Sequence, residues 1–105
     1  MTQSYFFNSK GVKMKVENMR STKGNIVPNQ FIITDGDVEY FQSYKTIIAK
    51  YIDGQVYLDA THWDYSRTTS KYLNRFLNAT SQEVKERVAM GDYPLINLNE
   101  GDIKC

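Results

Sequence analysis

Two Asp-Gly dipeptides, Asp35-Gly36 and Asp53-Gly54, each sit between runs of β-branched and aromatic residues. No other short pattern constrains this chain as strongly, because a tight hairpin needs positive φ at its centre and Asp-Gly supplies it. With a two-residue turn at each dipeptide, Ile33 faces Val38 and Phe31 faces Tyr40 in the first hairpin. In the second, Tyr51 faces Val56 and Ala49 faces Leu58. Cross-strand partners share a face, so these pairs line a buried side. The opposite side carries Ile32 with Glu39, Thr34 with Asp37, and Lys50 with Tyr57. The hairpins, joined through Ser43 to Thr46, make a four-stranded antiparallel meander. Tyr57 and Phe41 fall on the nominally wet side, where large aromatics mark either an interface or the underside of a second layer built from residues 1–20.

The flanks add elements of both kinds. Val12, Met14 and Val16 alternate with Lys13, Lys15 and Glu17, the period of a half-buried strand, and the turn-forming residues from Arg20 to Asn29 read as a loop. After the meander the period becomes helical. Thr68 or Thr69 caps a helix whose apolar stripe is Tyr72, Leu73, Phe76 and Leu77, and Asn78 ends it. Thr80-Ser81-Gln82-Glu83 is a capping box; Val84 and Val88 follow four apart, Gly91 closes the helix, and Pro94 prevents its continuation. Leu95, Ile96 and Leu98 add an edge strand. The fold class is α+β: an antiparallel β-meander of four to six strands with two short helices packed on one face, as a single domain over 1–105.

Composition narrows the functional classes. The 105 residues are 41% hydrophobic and 24% charged, values that suit a folded domain able to bury a core without disulfides. The lone cysteine, Cys105, has no second thiol for a disulfide or a metal site, and Met1 to Lys10 lacks an apolar signal-peptide core. The expectation is a cytoplasmic protein with no membrane span and no cofactor. A net charge of +1 excludes a strongly acidic DNA mimic and a generally basic nucleic-acid coat, although basic residues concentrate in 1–27 and 61–78.

Catalytic chemistry finds little foothold. The single histidine, His62 beside Trp63, has no partner recognisable from sequence and reads as structural. Ser66 and Ser70 lack the sharp glycine-flanked turn of a catalytic serine and read as turn or cap residues. Asp35 and Asp37 form a D-x-D, a pattern that holds divalent cations in some nucleases, yet a hairpin turn explains it better. The chain is therefore expected to bind rather than to catalyse. Arg67, Lys71 and Arg75 recur every four residues and stack into one cationic helical ridge opposite the apolar stripe, with Asn74 and Asn78 beside them and Tyr65 and Trp63 just before. Arg67, Lys71, Arg75, Asn74 and Tyr65 are the candidate partner-binding residues, the alternative being a solubilising helix face.

The run from Asn29 to Asn78 resembles a family of small proteins encoded by bacteriophages and other mobile elements of Gram-positive bacteria. The residues that carry the likeness are Asn29-Gln30-Phe31-Ile32-Ile33, Tyr40-Phe41-Gln42-Ser43-Tyr44, Ile47-Ile48-Ala49, Val56-Tyr57-Leu58-Asp59, and Trp63 through Tyr72. The resemblance covers about half the chain and transfers no catalytic residue. It implies an inhibitor of the anti-CRISPR kind, whose partner is a host nuclease of Cas9 type or its guide RNA. Beside that reading stand a nucleic-acid-binding or regulatory module using the ridge, and a metal-dependent nuclease using Asp35 or Asp37 with His62.

Overall fold

The computed structural model describes residues 3–7 and 13–99, with side chains from Met14 onward. Seven strands form one sheet in sequence order: β1 (Gln3–Phe7), β2 (Lys13–Arg20), β3 (Ile26–Asp35), β4 (Val38–Ser43), β5 (Thr46–Ile52), β6 (Gln55–Asp59) and β7 (Leu95–Ile96). Helices α1 (Arg67–Leu77) and α2 (Ser81–Met90) lie between β6 and β7. All neighbouring strands are antiparallel except β6 and β7, which are parallel. The long connection makes the parallel pair possible, since neighbouring parallel strands need a crossover of this kind and the two helices supply it.

The sheet is thus an α+β meander with one strand more than the four to six expected, because Gln3–Phe7 pairs with β2 as an added edge strand, β1. It extends the sheet instead of forming a second layer beneath it. The loop expected from Arg20 to Asn29 shrinks to residues 21–25, and Ile26 to Gln30 belong to β3. Register slips between Asn18 and Arg20, opposite Pro28 and Asn29. Such a bulge is where a strand tolerates proline, and Asn29 sits there at φ 68. Val12 lies outside the described residues.

The two Asp-Gly turns differ. Asp53 and Gly54 both take positive φ, 51 and 79, and the second hairpin pairs Tyr51 with Val56 and Ala49 with Leu58 as expected. In the first hairpin only Gly36 is left-handed, at φ 63, and the turn is Gly36-Asp37, so Asp35 pairs with Val38, Ile33 with Tyr40 and Ile32 with Phe41. Positive φ at the first turn position alone is a different solution to the same twist requirement, and glycine fills it better than aspartate. The shift moves each pairing by two places.

The buried side of the first hairpin is also the opposite one. One row runs Glu17, Ile32, Phe41, Ala49, Leu58, Leu95 across six strands, and on this face the helices lie. Phe41, expected on the wet side, is fully buried and stacks on Phe76 at 5.9 Å between centroids. The other face carries the row Val16, Ile33, Tyr40, Lys50, Tyr57, none of which is buried. Both faces offer β-branched and aromatic residues, so alternation alone could not choose between them. A bulge between Phe41 and Gln42 leaves Ile48 without a cross-strand partner, and Ile48 and Ala49, adjacent in sequence, both reach the core. Phe41, Ile48, Leu58, Leu73 and Val84 form its centre.

Candidate functional site

The segment that positions the site begins at Asp59, the last residue of β6, which is only 2% exposed. Its Oδ2 accepts the backbone N–H of His62 at 3.0 Å and the ring Nδ1–H at 2.7 Å. Its Oδ1 accepts Leu98 N–H at 2.9 Å and the Asn99 amide at 3.1 Å. Burial by itself would raise this carboxyl's pKa. The bonds from Leu98, the His62 ring, Asn99 and the His62 backbone outweigh it and hold Asp59 below the usual aspartate range. The carboxylate therefore folds the 60–65 turn back on the sheet and fastens the chain that follows β7. Asn99 completes the tie by accepting Ile47 N–H at 2.9 Å and donating to its carbonyl at 3.0 Å, as a neighbouring strand would.

Trp63 emerges from this turn, half-buried against the core. Ser66 then caps α1, its hydroxyl accepting Thr69 N–H at 3.1 Å. The cap was expected at Thr68 or Thr69. Thr69 is instead fully buried, its hydroxyl 3.1 Å from Ser43 on β4, so a polar tie fixes the helix start against the sheet. Tyr72 and Leu73 are buried as the apolar stripe requires, and Phe76 and Leu77 pack partly against the core. Asn78 ends α1 at φ 54, Thr80 and Glu83 make the reciprocal capping box of α2, and Gly91 closes it at φ 84.

The outward face of α1 carries the cationic ridge. Arg67, Lys71 and Arg75 are all exposed, and among the described residues none of them makes an ion pair. Lys71 Nζ and Arg75 Cζ lie 5.3 and 5.9 Å from the Tyr72 ring centroid, so the ring's negative faces help to hold both cations in place.

The ridge borders an open groove of about 670 Å³. Trp63 and Asp64 come from the turn, Arg67, Lys71 and Asn74 from α1, and Lys85 from α2. Ser66, Ser70 and Ser81 add hydroxyls, while Leu73 and Val84, both buried, form its apolar floor. Asn74 donates to Ser81 at 2.8 Å and so links the two helices across the groove. Three of the sequence-derived candidates, Arg67, Lys71 and Asn74, converge here. Arg75 lies one turn further along, facing a shallower hollow with Asn74, Asn78 and Glu83. Tyr65, half exposed, packs its ring edgewise on His62 at 5.5 Å and does not line the groove. Lys85 and Ser81 were not foreseen as site residues. Their only signal was the capping box, which orients the start of α2.

Other chemistry is thin among the described residues. No group of three or more His, Cys, Asp or Glu could hold a metal ion there, and no helix is long and apolar enough to cross a membrane. A second hollow of about 410 Å³, lined by Glu39, Tyr51, Phe76 and Tyr93, contains Arg87, already engaged with Asp92 at 3.3 Å.

Fold and groove together define a small α+β protein with one meandering sheet, two helices on a single face, and a cationic cleft between them. The chain belongs to a family of unknown function, DUF8033, whose model matches residues 14–91. The match begins within β2 and ends at the cap of α2, so it spans every groove residue and stops short of β1, β7 and Asn99. No curated protein and no solved structure matches the chain.

Proposed function

We propose that this protein is a non-enzymatic binding module and that its α1–α2 groove holds the phosphate backbone of an RNA. The observation that carries the reading is the convergence of Arg67, Lys71 and Lys85 on one concave surface with a single carboxylate, Asp64, among its lining residues. Cations without carboxylate partners are free to exchange their counterions for phosphates, and the salt dependence of that exchange is diagnostic. Hydroxyls and amides of Ser70, Asn74 and Ser81 add neutral donors suited to phosphate and sugar oxygens.

A narrower reading makes the protein a mobile-element inhibitor that disarms a Cas9-type host nuclease by occupying its guide RNA. It is supported by the resemblance of residues 29–78 to small phage-encoded proteins, and the groove's chemistry is compatible with a guide-RNA contact. Family membership does not bear on this choice.

Fluorescence anisotropy with a labelled single-stranded RNA tests the broader reading. Three phosphates neutralised on a single strand predict a log–log salt slope of about −2. The Arg67→Glu, Lys71→Glu double variant should lose binding while its thermal midpoint stays unchanged. Equal affinity of wild type and variant would remove the groove from consideration. For the narrower reading, DNA cleavage by a Cas9-type nuclease is followed with protein added before or after guide loading. Undiminished cutting in both orders, at excess protein, discards it.

A further inference from the structure

We infer that the groove takes a single-stranded nucleotide step, with the base against Trp63 and its flanking phosphates on Arg67, Lys71 and Lys85. This deepens the RNA-binding reading and rests on it. Trp63 is half-buried: one part of the indole packs on the core, and the part left open lines the groove among the cations. An indole held in that way is a prepaid stacking surface, since the core has already removed its rotational freedom. Every base has a π-face, so such a platform grips a strand without reading its sequence.

Shape separates single strands from duplexes. The cations sit around a concavity of about 670 Å³ between two helices, over a floor of Leu73 and Val84. A space of that size suits one small-molecule-sized unit. A duplex RNA is recognised differently: its deep, narrow major groove admits no side chain, it is gripped by shape across the shallow minor groove, and its bases are stacked on each other with no face to offer. Lys85 comes from α2 and faces the groove across from Arg67 and Lys71, so phosphates on both sides of one base have partners. Asp64 stands beside Trp63 and supplies an acceptor for an amino group on a base edge.

Trp63 is the only tryptophan in the chain, so emission excited at the red edge, where the eight tyrosines do not absorb, reports on this groove. The experiment titrates the full-length protein with short oligoadenylate RNA, a blunt duplex RNA of the same length, and inorganic polyphosphate. Binding is read by competition against a labelled RNA, and Trp63 emission is read in parallel. The expected result is strong quenching by oligoadenylate, with polyphosphate competing but leaving emission unchanged, and duplex RNA binding at least about fivefold more weakly than single strand. Trp63→Leu should weaken oligoadenylate by about fivefold or more without changing polyphosphate affinity, and Trp63→Phe, which keeps both an aromatic face and the core contact, should restore most of the loss. Competition by oligoadenylate with unaltered Trp63 emission overturns the stacking inference and leaves the phosphate-binding reading standing. Equal quenching by polyphosphate overturns it as well. Absence of binding by all three ligands overturns both.

Discussion

The Nδ1–H of His62 donates to Asp59 Oδ2 at 2.7 Å, and that contact joins the turn carrying Trp63 to the end of the central sheet. An aspartate–histidine pair invites comparison with catalytic dyads, but here the same carboxylate is also committed to Leu98 and Asn99. Its four donors come from two segments far apart in sequence. The pair is a fastening, and it sets where the groove begins.

Acid should loosen that fastening. Hydrogen bonding depresses the Asp59 pKa in the folded state despite burial, so its stabilisation is complete above the unfolded-state value and is lost as pH falls through the folded one. Urea unfolding across pH 7 to 3 should show a loss in wild type, below about pH 4, that is smaller in Asp59→Asn. At pH 7 the variant should be less stable by about 2–3 kcal/mol, because an amide nitrogen would face donors where an oxygen now accepts.

Phe41 anchors the helices to the sheet through its stack on Phe76. Phe41→Ala should cost about 3–5 kcal/mol in chemical denaturation, and Phe76→Ala less, because Phe76 is only partly buried. Equal costs would mean that the stack does not centre on Phe41.

Tyr44, between β4 and β5, is half exposed and sits at φ 57, a left-handed conformation that a bulky side chain resists. Tyr44→Gly should raise stability by about 0.5–1 kcal/mol, the relief of strain exceeding the added freedom of the unfolded chain. A lower melting temperature would show that the ring makes up for the strain.

Thr80→Ala removes the hydroxyl that accepts Glu83 N–H at 3.1 Å. Helix α2 should fray and the protein lose about 1 kcal/mol, read as a lower denaturant midpoint. Because Lys85 lies on the second turn of that helix, the proposed RNA affinity should fall with it.

Local chemistry was legible wherever neighbours in sequence decide it. The Asp53-Gly54 register, the Tyr72 to Leu77 stripe, Asn78, the Thr80 box and Gly91 all depend on residues within a turn of one another. From sequence Ser66 reads only as a turn or cap residue, and Thr68 or Thr69 suits the cap of α1 as well. Only the buried contact of Thr69 with Ser43, across 26 positions, frees Ser66 for the role. The face of Phe41 is ambiguous in sequence for a similar reason, since Ile32 and Ile33 are equally fit for the core. The cationic spacing of Arg67 and Lys71 was plain, whereas Lys85 joined them only once α2 folded back beside α1.

By itself the amino-acid order determined the four strands of the meander, the two helices and their ends at Asn78, Thr80 and Gly91, because hydrogen bonding in turns and caps and the periods of two and 3.6 act over a few residues. Tertiary structure alone decided which sheet face the helices cover, the parallel entry of β7, the four-donor seat of Asp59, and the groove that gathers Trp63, Arg67, Lys71 and Lys85. A strand has two faces of similar composition, and the choice between them is made by the elements that return to pack on one of them.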